Sequence, residues 1–127
     1  MKRKSDPRHK NRQKTVKKLF EQSFRPDLET KNGSDTEQVL KKQKDIDILI
    51  KKYAPSWPLE QIAPIDLATL RMAVWELKFK KEKVPYKVIV DEAVEIAKEY
   101  GTETSGSFVN GVLGSIIKST KIPKESL

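Results

Sequence analysis

An all-helical fold, a compact bundle in two halves, is what this sequence predicts, and three observations predict it. Apolar residues recur at helical spacing through most of the chain, no stretch alternates with the period of a strand, and the candidate helix starts carry capping residues or prolines. At 127 residues the chain reads as a single domain, residues 1–127, long enough to bury about two thirds of its unfolded surface.

Asp6 and Pro7 read as an N-cap and first helical residue, opening a helix that runs to Phe24. Val16, Leu19, Phe20 and Phe24 share one face of it, while the turns before Val16 hold no apolar residue. Its first half is therefore expected to project or fray, and residues 1–12 to form a basic, partly mobile arm. Residues 25–33 are a loop by their Pro and Asn-Gly content. Ser34 with Glu37 three positions on is a capping box, and the next helix runs to Tyr53 with Val39, Ile46, Leu49, Ile50 and Tyr53 inward.

Pro55 and Pro58 end that helix, and residues 57–62 read as a single helical turn that places Trp57 and Ile62 in the core. The central helix, residues 64–81, has two apolar faces: Leu67, Leu70, Val74 and Leu77 on one, Ile65, Ala68, Met72, Trp75 and Phe79 on the other. Two faces mean packing on both sides. Two polar strips remain, Arg71 with Lys78, and Asp66, Thr69, Glu76 and Lys80. The second is read as an exposed acidic strip, and Arg71 as one half of a structural ion pair.

A basic loop, residues 78–83, leads to Pro85, which suits a first helical turn, and Gly101 suits a left-handed helix end. Between them Ile89, Val90, Ala93, Ile96 and Ala97 face inward with Tyr86, Val94 and Tyr100, while Asp91, Glu92, Glu95 and Glu99 form a solvated face. A last helix buries Val109, Val112, Leu113 and Ile116, with Phe108 at the edge of that face. Gly111 and Gly114 each cost about 1 kcal/mol against alanine in a helix interior, so close approach of another backbone is expected there. Residues 120–127 are a tail.

The chain carries 26 Lys+Arg against 18 Asp+Glu, a net charge of +8. Residues 1–18 hold nine of those bases, including Lys2, Arg3 and Lys4, and one acid, Asp6; the other 109 residues hold 17 of each sign. All the excess is in the first segment, which points to a polyanion, most often nucleic acid. With no cysteine, one histidine (His9, read as solvated) and no phosphate-loop, dinucleotide or hydrolase motif, no catalytic site and no metal or other cofactor is expected. Nothing resembles a membrane span or signal peptide, so a cytoplasmic protein is expected. Phe108 can cover the core or offer a ring to a base, and Asn110 can hydrogen-bond a base edge.

The string P-Y-K-V-x-x-x-E-A-V-E-x-A-K with F-V-N-G-V-L, the upstream L-R-M-A-V-W-E-L and W-P-L-E-Q-I resemble the NusB family of bacterial transcription antitermination factors, densely over residues 53–117. The resemblance implies a non-catalytic protein that binds boxA-like single-stranded RNA together with NusE, a ribosomal small-subunit protein, and so reaches the RNA polymerase elongation complex. Carried onto this chain it implies RNA contacts at Arg8, Lys10, Arg12, Lys87, Phe108 and Asn110, and partner contacts at Phe20, Glu60, Asp66, Thr69 and Glu76. A homodimer is left open. The chain departs from the pattern where residues 25–33 replace a helix, which shortens the first half, and at Thr15, Ser107 and Gly114. Two other readings stay open: a general RNA chaperone or ribosome-assembly factor on the same fold, and a helical RNA-binding partner of an RNA cytosine methyltransferase.

Overall fold

The computed structural model describes residues 6–120, and these form six α-helices and one 3-10 turn. Lys2, Arg3 and Lys4 of the expected arm, and the tail after Thr120, lie outside the described residues. Helix α1 spans Pro7–Phe24, and the Asp6 carboxylate accepts from the Arg8 N–H at 2.8 Å. After the loop, Gly33 takes a φ of +79°. Helix α2, Asp35–Lys41, starts on the expected box: Ser34 Oγ accepts from Glu37 N–H at 3.2 Å, and Glu37 reaches back to Gly33 N–H at 2.8 Å.

The single helix expected up to Tyr53 is instead two, α2 and α3 (Gln43–Tyr53). At Lys42 the N–H bonds Val39 C=O at 3.0 Å, three residues back, which tightens the chain into a turn. No residue type marks this break. The 3-10 turn is Leu59–Gln61. Ile62 is buried as expected, but Trp57 is 50% exposed and is not a core residue. The segment 55–58 holds two prolines, and it runs over the surface rather than into the core.

Helix α4, Pro64–Lys78, is the axis of the bundle and packs against α1, α3, α5 (Tyr86–Tyr100) and α6 (Ser105–Ser119). Both expected apolar faces are inward: Leu70, Ala73 and Val74 are fully covered, and Met72 and Trp75 nearly so. Arg71 donates twice to the Asp47 carboxylate, at 2.9 Å each, which ties α4 to α3. Pro85 caps α5 from outside the helix.

Two glycine readings need correction. Gly101 has a φ of −100°, not a left-handed one; its requirement is space, because a Cβ there would lie 2.3 Å from Ser105 Oγ and 2.8 Å from Ala97 O. Gly111 and Gly114 have nothing within 4 Å of a Cβ, so no backbone approaches them within the described residues.

Candidate nucleic-acid interface

Helix α1 positions most of the candidate basic groups, and it does so through a buried polar seam. Its inward stripe does not stop at Val16. Arg12 Nε and Nη2 donate to the two oxygens of Glu76 on α4, at 2.7 and 2.9 Å, and both side chains are almost wholly covered. His9 Nδ1 lies 2.7 Å from Glu92 of α5, whose carboxylate is also 3.6 Å from Arg12 Nη1. Thr15 completes the seam by bonding Asn11 C=O. A buried charge persists only when paired and hydrogen-bonded, and this geometry meets that condition.

Burial pulls the Arg12 guanidinium down, but the Glu76 hydrogen bonds, with Glu76 and Glu92 charge behind them, outweigh it and hold Arg12 above its ordinary value.

The buried polar groups overturn five expectations. The first half of α1 does not project, since His9, Arg12 and Thr15 are buried. His9 is not solvated, nor is Glu92. Arg12 faces the protein interior and is committed to Glu76, so it is not free for a phosphate. The acidic strip on α4 is also covered: Asp66 is 7% exposed, Thr69 0% and Glu76 2%. For Glu76 the physical reason is that α1 packs on α4 and supplies the base itself, through Arg12.

What α1 presents outward is different. Arg8 is exposed and bridges Asp6 at 3.3 Å, while Lys10, Lys14, Lys17 and Lys18 are exposed on the side away from the seam. Lys17 Nζ sits 4.9 Å from the Tyr100 ring centre. Lys87 is exposed in the first turn of α5. Phe108 is half-buried, its ring edge-on to exposed Trp57 with centroids 6.0 Å apart. Asn110 is exposed, yet two helical positions turn it about 200° from Phe108, so the two do not share a face.

On the candidate partner side, Glu60 is exposed, and Phe20 is half-buried with exposed Phe24 edge-on at 5.1 Å. Thr69 donates to Ile65 C=O at 2.8 Å. Asp66 Oδ1 is buried without a hydrogen-bond partner among the described residues; burial raises its carboxyl above the ordinary value, and the polar Ser105 side chain works against that.

His9 and Glu92 were missed as structural residues, although a signal existed. Residues 9, 12, 16 and 19 recur at helical spacing, so His9 and Arg12 extend the stripe of Val16 and Leu19.

The profile of the NusB family matches residues 9–118. The transcription antitermination protein NusB of Thermotoga maritima is 50% identical over 80 residues, 63% of this chain and 55% of that protein. That of Acetivibrio thermocellus is 45% identical over 80 residues, 63% and 54% respectively. The chain thus spans about half the length of the relatives it matches in sequence. A solved structure of T. maritima NusB superposes with a TM-score of 0.82 at 35% identity, covering 99% of this chain and 98% of that one. A structure of antitermination factors NusB and NusE in complex with double-stranded RNA gives 0.74 at 22% identity, covering 89% and 97%, a likeness of fold alone.

Proposed function

Because the chain belongs to the NusB family, we propose that it is a non-catalytic RNA-binding factor of transcription antitermination, a cytoplasmic protein acting on elongating RNA polymerase. Its RNA is a boxA-like single strand and its protein partner is NusE. One observation carries this reading: α1 divides its bases by face. Arg12 is neutralised inside by Glu76, while Arg8, Lys10 and the outward lysines stay in solvent. From Pro7 to Phe20 the helix holds no acid at all. A surface of that kind suits a phosphate backbone. That a protein of the same fold crystallises with NusE and double-stranded RNA supports RNA and NusE as the ligand classes.

Arg8, Lys10, Lys87 and Asn110 supply the polar RNA contacts, and Phe108, backed by Trp57, the ring. The NusE face centres on Phe20 and Glu60, which reach the surface, whereas Asp66 is covered. The test is RNA titration across salt with wild type, Arg8→Gln/Lys10→Gln and Phe108→Leu. Losing two phosphate contacts flattens the log–log salt slope by about 1.4, from a factor of about 0.7 per contact on single strands. Phe108→Leu costs about 1–3 kcal/mol of binding where a base stacks; normal binding with a lower melting temperature assigns the ring to packing on Trp57. Wild-type slope and affinity in the Arg8/Lys10 variant would remove α1 as the RNA site.

A further inference from the structure

We infer that the groove between α1 and residues 29–36 is a second phosphate track, which carries RNA beyond the contacts of Arg8 and Lys10; the inference rests on the RNA-binding reading above. Lys14 and Lys18 form one wall, one helical turn (about 6 Å) apart on α1. Lys31 stands on the other, with Asn11, Thr30 and Asn32 offering hydrogen bonds along the floor and rim. Lys31 lies in the loop that joins α1 to α2.

The charges of the groove are unequal in availability. Lys41 and Lys80 elsewhere pair with glutamates at 3.9 and 3.8 Å, but among the described residues Lys14, Lys18 and Lys31 have no carboxylate partner. Two acids also line the groove. Asp35 already accepts from Asn11 Nδ2 at 2.9 Å and sits in the first turn of α2, and Glu29 stands exposed on the loop. Lys10 and Lys17 flank Lys14 and Lys18 on the same outward side of α1, so the groove continues the basic face without a break. Like charges one turn apart repel along a helix, and a polyanion laid between the walls relieves that repulsion. Charge complementarity and continuity with the α1 face therefore select a nucleic-acid backbone as the occupant.

The test compares a single-stranded RNA of about 12 nucleotides with the same RNA extended at both ends, chosen against a site size of roughly 4–16 nucleotides. The protein is the full chain, as wild type, as Lys14→Gln/Lys18→Gln/Lys31→Gln, and as the corresponding triple Lys→Arg variant. The Gln triple should bind the extended RNA about ten-fold more weakly and with a salt slope flatter by about 2, while the short RNA is bound as before. The Arg triple should match wild type, which separates lost charge from lost folding. Extended RNA bound by the Gln triple with wild-type slope overturns the inference and leaves the proposed function standing. Wild type that binds neither RNA overturns both. Loss of polyglutamate binding with RNA binding intact would assign the groove to an acidic polypeptide, and the phosphate track would be wrong.

Discussion

Removing the Arg12 side chain tests the seam on which α1 is seated. In Arg12→Met the Glu76 carboxylate, 2% exposed, loses two hydrogen bonds of 2.7 and 2.9 Å and, among the described residues, keeps only Lys80 at 3.8 Å. Breaking one partner of a buried pair costs about 3–5 kcal/mol, because the other charge stays buried and uncompensated. For a chain of this size, that is a fall in melting temperature on the order of 10–20 °C. Glu76→Leu should cost less, since Glu92 remains 3.6 Å from the guanidinium. The double variant Arg12→Met/Glu76→Leu replaces both charges with apolar groups and should return to within about 1 kcal/mol of wild type. Urea denaturation of the four proteins closes a double-mutant cycle, with a coupling energy of at least about 2 kcal/mol expected. The double variant should also keep its RNA affinity, because Arg12 faces inward. Additive losses, or an Arg12→Met variant within about 0.5 kcal/mol of wild type, would refute the seam as described.

Asp66 has a second consequence, this one in pH. Its folded carboxyl is held above 3.8 by burial, so the folded state prefers the protonated form; that stability is present below 3.8 and is lost as pH rises through the raised folded value. Asp66→Asn should therefore melt roughly a few degrees higher than wild type at pH 7, and the two should converge below about pH 4; parallel melting curves across that range would exclude the raised carboxyl. Gly111→Ala and Gly114→Ala should each stabilise by about 0.5–1 kcal/mol, since a Cβ meets nothing within 4 Å at either position. Gly101→Ala should destabilise by about 1–3 kcal/mol, its Cβ falling 2.3 Å from Ser105 Oγ, and thermal melts of the three variants separate the two kinds of glycine.

The elements legible in the sequence are those written in local terms. Asp6-Pro7 and Ser34 with Glu37 mark helix starts because capping needs only neighbours in sequence, and both starts are where those residues place them. The two apolar faces of α4 could be read from spacing alone, and so its central position could be inferred. Burial of charge was not legible in the same way. Periodicity counts Glu76, Glu92, His9 and Arg12 as polar and assigns them to solvent, whereas their burial depends on partners 64 and 83 residues away in the chain. Trp57 failed in the opposite direction, a large apolar ring left half in water because the loop that carries it follows the surface. Lys14 and Lys31 show the same limit. Each is an ordinary lysine in sequence, and only the fold of residues 29–36 against α1 brings them to one groove.

The seam and the basic face belong to one electrostatic arrangement. A helix N-terminus carries partial positive charge and favours acids, yet the first turn of α1 holds none, and Arg8, Lys10 and Arg12 crowd its opening turns. Apart from the Asp6 cap, local electrostatics thus oppose this helix, by about 0.3–1 kcal/mol per misplaced base. The opposition is met from α4 and α5, where Glu76 and Glu92 receive the inward groups. Apolar residues at those positions could hold α1 as firmly, but they would not fix its rotation; the bidentate Arg12 fork does, because turning the helix by one position, about 100°, breaks both bonds. Fixed in that rotation, α1 keeps its remaining bases outward; Arg8 pairs with Asp6, while Lys10, Lys14, Lys17 and Lys18 have no carboxylate partner among the described residues. On the reading proposed above, the phosphates of a bound RNA then supply the negative charge that the first turn lacks. RNA binding and the stability of α1 are therefore linked, and saturating RNA should protect the amide protons of residues 8–14 from exchange more than those of α3, which carries no part of this arrangement.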